Sequence, residues 1–562
     1  MERAKQDQKF LWRVEDIYKT ISYLNLEEDM ERKLEKIVVY SYMKRSAEGG
    51  TPECVKLADA SQDISVKAGE ATSFAAEEIS RLENDQLRAM AKNPDFAKFK
   101  RSLDMMIKNK PHIRSDEVEK LISSMGAFTD FDNLFQSLSD IEMPIEDIVL
   151  DNGKHLVLNN SNYSKYLHSA DRNVRKQAYT NLYEAYKKLN LTYSANYLNA
   201  CKESNFITKT YNFKTTFERV CFYDEADSSI ASVLLDAVNQ ALPTLQKLQK
   251  LKKKVLNLPD YSLYDIFAPL VNGESPKYYY NKASKIITSS LSVMGEDYST
   301  LVRHALEDRW VDLYPTKNKD SSCYCISCYD VHPFILTNFN NTADSVSTLS
   351  HELGHAMQGY LAQISQPFST HDCSSLTCEI ASTVNEVLTK KYIIDNTNDK
   401  NEKIAAIDSL LGEFYGAIFK QSLYTEFELF VFGRIEAGEF VTFEDLNNKY
   451  SELLHKYFGN SVTYPDNCGI EWSRIPHFYS PYYVYKYVVG FASAIIICGN
   501  LLSGDKSFRD NYLEFLRSGS SKPPKDLLKL AGIDLLDKNT YIKALKLFDL
   551  YIDELAELLE EK

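Results

Sequence analysis

Apolar residues recur at three- and four-residue spacing along most of the chain, the period of helices that bury one face. Up to residue 140 the chain reads as helix after helix with Lys- and Glu-rich outer faces. Ile148-Val149-Leu150 and Leu156-Val157-Leu158 then flank Asp151-Asn152-Gly153, a turn sequence that predicts a hairpin. Asp171 follows as the N-cap of a helix running through Val174, Ala178 and Leu182. Between Trp310 and Phe339 the period changes. Val311, Leu313 and Tyr314, then Tyr324, Ile326 and Tyr329, then Phe334, Ile335 and Leu336 predict short strands between turns. Everything beyond returns to helix. A soft domain boundary is expected near residue 185.

Composition sharpens this picture. Only 20 Gly and 16 Pro in 562 residues favour long helices over a many-turned β architecture. A hydrophobic share of 44% with 26% charged residues excludes a disordered or fibrous chain. The net charge of −14, with no basic block, argues against nucleic acid or an anionic membrane as partner. Tyr487 to Leu502 is an uncharged run that reads as too short to span a bilayer. The first residues carry no apolar core of a secretory signal, and 10 cysteines without one read as free thiols in a reducing compartment. The expectation is a soluble, cytoplasmic, mostly helical protein with no obligate protein partner.

The chemistry concentrates in His351-Glu352-Leu353-Gly354-His355. Two imidazoles four residues apart share one helix face and can hold one zinc, with the intervening Glu beside it. By chance such a pattern would arise in roughly one chain of this composition in forty, so its context matters. Val346, Leu349, Leu353, Met357 and Tyr360 form an apolar stripe roughly opposite the two histidines, and Asp344 falls between them on their side. That side holds Ser347, Thr348, Gln358 and Gly359, and not the Lys and Glu of a solvated face. Gly354 is a costly residue in mid-helix.

A catalytic zinc needs a third protein ligand and an open position. Leu376 to Tyr392 predicts a second amphipathic helix, apolar at Ile380, Ala381, Val384, Val387 and Leu388. Glu379 and Glu386 lie on its other side, Glu379 as the natural third ligand and Glu386 as a carboxylate behind a ligating imidazole. Farther on, His477 opens a Tyr-rich run to Tyr487. Ser480 as N-cap and Pro481 at the first helical position predict a helix on which Tyr482 and Tyr485 share a face. Phenol and imidazole donors could stabilise an oxyanion, though a tyrosine stripe taken alone is more often packing.

These motifs together resemble the oligoendopeptidase F family of thimet-type zinc metallopeptidases. The resemblance rests on His351 to Met357, Gln366-Pro367-Phe368, Glu379 to Glu386, Tyr329 to Leu336 and Pro476 to Gly490, in that family's order. It extends more weakly from Leu11-Trp12 to Ala531-Gly532-Ile533-Asp534. It implies a helical bowl in which an N-terminal part, 1–185, walls a deep channel over a catalytic part, 186–562. It implies cleavage inside short, unfolded oligopeptides, with one zinc per chain on His351, His355 and Glu379 and Glu352 as general base. His477 and Tyr485 become transition-state donors, and Tyr479, Tyr482 and His332 are expected to touch substrate. Gln358 and Cys378 depart from the family pattern, as does the Cys323, Cys325, Cys328 cluster. That cluster lacks a fourth metal ligand nearby and reads better as free thiols. Two other readings stay open: a zinc exopeptidase, which would need a pocket reading a peptide terminus, and a peptide-binding protein without catalysis, against which the intact Glu352 argues.

Overall fold

Helices Thr20–Ala47 (α1) and Pro52–Ser80 (α2) open the described part of the computed structural model, which comprises residues 20–126, 129–271 and 276–560. Leu11 and Trp12 lie outside it. The predicted hairpin forms: Ile148–Val149 (β1) pairs antiparallel with His155–Leu156 (β2), and Gly153 takes the positive φ of 79° that the turn between them needs. Asp171 caps Arg172–Lys188 (α3) by accepting from the Asn173 amide, and Val174, Ala178 and Leu182 face inward as their spacing requires. Residue 185 therefore lies inside a helix. A large core runs from Phe135 to Leu559, and a second, small one gathers Ile79, Leu87, Ala91, Phe96 and Leu103.

The strand region resolves into Val311–Asp312 (β3), Tyr324–Cys328 (β4) and Val331–Leu336 (β5), in the order β3-β5-β4. β5 pairs parallel with β3 and antiparallel with β4, which leaves β4 on the edge. Helix Ala343–Gln363 (α4) follows, capped by Thr342, with Val346, Leu349, Leu353 and Met357 buried. Cys378–Asn396 (α5) lies directly on it. A Cβ on Gly354 would come within 2.5 Å of the Ala381 carbonyl and of the Ser382 Cα, so only glycine permits this approach. On the same helix a Cβ on Gly359 would meet the Ser327 hydroxyl of β4 at 2.1 Å. The two glycines let a helix and a strand close on the histidine-bearing helix from two sides.

Helix Gln421–Glu436 (α6), helix Tyr485–Leu502 (α7) and the terminal helix Lys538–Glu560 (α8) complete the scaffold. α7 is long and apolar enough to cross a membrane by length and composition, longer than the uncharged run alone suggested, yet 67% of it is buried within the protein. It is a core helix packed on α5. The fold is the mostly helical one expected, with a small sheet just ahead of the metal-motif helix.

Candidate metal centre

α4 and α5 bring three ligating groups to one point. His351 Nε2 and His355 Nε2 each lie 3.4 Å from Glu379 Oε2. Tetrahedral zinc with bonds of about 2.05 Å requires donor atoms about 3.3 Å apart, which both histidine–carboxylate distances meet, and all three donor atoms lie within 4.8 Å of one another. Among the described residues this is the only such group of three or more His, Cys, Asp or Glu. Behind it, Glu386 Oε2 stands 3.2 Å from His351 Nδ1 and fixes the ring so that Nε2 faces the centre. Ser347 donates to Glu386 Oε1 at 2.8 Å, and Lys390 does so at 3.2 Å.

The electrostatics follow from this packing. Hydrogen bonds from both imidazoles hold the Glu379 carboxyl far below the usual range. Burial alone would lower the pKa of His351, but the bonds to Glu379 and Glu386 outweigh it and push the imidazole up to about 10. Burial would raise Glu386, yet Lys390, His351 and Ser347 together bring it down. Glu352 is buried, and that burial raises its carboxyl above the usual range despite the two nearby histidines. Without metal the site thus holds a proton that a cation must displace.

Asp344 sits elsewhere. It shares the histidines' face, but seven residues place it about 10 Å along the axis, in the exposed first turn of α4. His332 is also outside the cavities that meet at the ligands. Its ring stacks on Trp310 at 4.9 Å, and its Nδ1 pairs with the Pro333 carbonyl at 2.8 Å. Cys323, Cys325 and Cys328 are free thiols, as are the other seven cysteines. Residues of β4 line a cavity of about 580 Å³ that ends on His351, Glu352, His355 and Glu379.

The Tyr-rich run departs most from expectation. Ser480 and Pro481 do not start the helix. Tyr482 adopts a positive φ of 56°, its amide donating to the buried Glu428 carboxylate at 2.7 Å, and α7 begins only at Tyr485. The delay rotates the tyrosines. Tyr482 packs between Phe217 and Phe432, while Tyr479 lies against Phe135 and accepts from the Asn196 amide. Tyr485 is fully buried, its hydroxyl donating to Asp224 Oδ2 at 2.7 Å. Tyr487 is the residue the sequence pattern missed. With His477 it lines a second cavity, of about 540 Å³, that reaches His351 and Glu379, and its hydroxyl is 3.3 Å from His477 Nε2. Burial, with Lys420 nearby, keeps the His477 pKa below the ordinary value.

The arrangement offers a three-donor metal site, a buried carboxylate beside it and a phenol–imidazole pair facing it across a cleft. The model of peptidase family M3 matches residues 165–547, and that of oligopeptidase F matches residues 78–143. Oligopeptidase PepF of Bacillus subtilis (strain 168) is 30% identical over 545 residues, 97% of this chain and 81% of its own length. Group B oligopeptidase PepB of Streptococcus agalactiae (serotype III, strain NEM316) is 31% identical over 537 residues, 95% of this chain and 89% of its own. The crystal structure of oligoendopeptidase-F from Enterococcus faecium superposes with a TM-score of 0.75 at 27% identity, covering 97% of this chain and 94% of that one. A crystal structure from Chlamydophila abortus gives 0.89 at 29% identity, covering 96% and 90%.

Proposed function

Because the chain belongs to peptidase family M3, whose members are metallopeptidases of oligopeptides, we propose that it is a zinc endopeptidase cleaving internal bonds of short, unstructured peptides. The observation that carries this reading is the convergence of His351, His355 and Glu379 donor atoms within 4.8 Å of one another with Glu352 buried beside them. Its ten unpaired cysteines fit work in the cytoplasm, the compartment we assign.

Zinc bound there supplies a Lewis acid that activates water and polarises the scissile carbonyl. Glu352 holds the water's proton as the carbonyl is attacked, then passes it to the leaving amine. Burial suits it to this, since a carboxyl raised above its ordinary range holds a proton more readily once it has taken one. Tyr487 takes the oxyanion-donor role expected of Tyr485, with His477 orienting the phenol through their 3.3 Å contact. His477 stays neutral near pH 7, so it adds no fixed charge to the cleft. The free edge of β4 can pair with an extended peptide as an added strand and fix its direction.

Glu352→Gln tests the reading. Zinc content is expected to remain near one per chain while turnover of an internally quenched, end-blocked peptide falls at least ~10²-fold. His355→Ala is expected to lose both. Near-normal turnover in Glu352→Gln would remove Glu352 as the base, and full metal content in His355→Ala would remove that ligand.

A further inference from the structure

The second cavity has a wall that the mechanism above leaves unused. Lys420 ends the wide turn of helix Tyr415–Lys420, and Arg474 ends the short helix Cys468–Arg474. Both line the cavity that reaches His351, Glu379 and His477. The Arg474 guanidinium lies over the Tyr163 ring, 4.7 Å from its centre. Its Nε is buried without a hydrogen-bond partner, and among the described residues no carboxylate pairs with it. Lys420 Nζ stands 3.7 Å from Glu471 and 5.7 Å from the Tyr424 ring centre.

Lys420 thus has Glu471 as its carboxylate partner, and Arg474 feels the same carboxylate only at longer range. The other acids of this cavity are committed elsewhere: Glu413 to Lys390, Glu386 to His351 and Lys390, and Glu379 to the metal histidines. Tyr163 and Tyr424 cannot supply countercharge, because burial holds both phenols above their ordinary range. Burial also pulls the Lys420 pKa down, with Arg474 adding to the fall and Glu471 opposing it. A buried guanidinium nitrogen without an acceptor, on the same wall as a second cation, is costly unless an acceptor binds there. The anion a peptidase cleft receives is on its substrate.

We propose that Lys420 and Arg474 form a subsite for a carboxylate of the bound peptide, either its free C-terminus or an Asp or Glu side chain. This rests on the endopeptidase reading for its substrate and deepens it into a specificity. The other cavity, bounded by β4, meets this one at His351 and Glu379, so a peptide lying along β4 and across the metal would run into the basic wall.

Four quenched peptides sharing one core distinguish the two sources: a free acid and its C-terminal amide without acidic residues, then an amide carrying one Glu and its Gln twin. The kcat/KM is expected to favour one carboxylate-bearing member of a pair by about ten- to a hundredfold. Lys420→Met, close to isosteric, is expected to collapse that ratio toward one. Binding of the same peptides, fluorescently labelled, to chelator-treated protein is expected to show the same preference in Kd. Equal handling within both pairs overturns the subsite, as does a preference that survives Lys420→Met. Preferential binding without cleavage of any peptide by the zinc-loaded protein would instead keep the subsite and sink the endopeptidase reading.

Discussion

Tyr485 and Tyr487 stand two residues apart on one helix, a step that turns a side chain by about 200°. One phenol enters the core and the other the cleft. Tyr485 donates to Asp224, which also accepts from Lys486 at 2.7 Å and Ser375 at 3.1 Å, so this carboxylate ties the start of α7 to the loop before Glu379. Tyr485→Phe is therefore expected to cost about 1–3 kcal/mol of stability, the price of a lost bond to a buried charge, with kcat changed little. Tyr487→Phe is expected to lower kcat by about 10²–10³ with KM and zinc content unchanged, as for an oxyanion donor. Steady-state kinetics and thermal melts on the two variants separate these outcomes. A Tyr487→Phe enzyme within threefold of the parent would return Tyr487 to packing.

His351 sets a second expectation at this scale. Its pKa stands above the ordinary 6.5, at about 10, so the metal-free site keeps its proton through neutral pH. The stabilisation this gives the metal-free fold is fully present below about 6.5 and is lost as pH rises through about 10. Zinc must expel that proton, so affinity rises with pH. Calorimetric titration at pH 7.5 in two buffers of different ionisation enthalpy should show proton release. Binding with no proton exchange would contradict the His351–Glu379–Glu386 arrangement.

Among elements, the closest meeting is α4 against α5. Propensity alone predicts that Gly354→Ala gains about 1 kcal/mol in a helix interior. Packing predicts the reverse, because the new Cβ would sit 2.5 Å from backbone atoms of Ala381 and Ser382, which cannot swing aside as a side chain could. Overpacking of this kind costs about 1–3 kcal/mol. α5 carries Glu379, so the strain would also move a ligand. Gly354→Ala is expected to melt earlier and bind zinc more weakly; a variant as stable as the parent would show that the two helices are not in hard contact.

The whole molecule bears on which substrates can reach the centre. α1 docks on the sheet beside the cleft: Glu35 accepts from the Tyr329 amide at 3.0 Å, and Arg32 and Lys36 pair with Asp330. The cavities on either side of the ligands, about 580 and 540 Å³, have the size of sites for a few residues. A disulfide-bonded folded domain is expected to resist digestion while peptides of roughly 5–20 residues, extended at ~3.3 Å per residue, are cut. Mass spectrometry of both digests would decide it, and efficient cleavage of the folded domain would mean that the cleft opens far wider than this.

The chain's own pattern determined the helical class, the hairpin at Gly153, the Asp171 cap, the strand region and the His351, His355, Glu379 and Glu386 faces. All of these are local: a period of 3.6 or 2, a cap or a turn puts the side chains where they are within a few residues of chain. The tertiary structure decided what depends on a distant partner. Asp344 shares a face with the histidines but lies two turns away, on a stretch of α4 that the cleft does not reach. Ser480-Pro481 has the chemistry of a helix start, yet buried Glu428, 54 residues away in α6, holds the Tyr482 amide and delays α7 until Tyr485. Through that bond the cleft receives Tyr487 in place of Tyr485. Lys420 and Arg474 are likewise far apart in sequence, and only packing sets them on one wall of the cleft. Short-range geometry is written in the spacing of residues; which phenol or which cation meets the substrate depends on contacts that spacing does not encode.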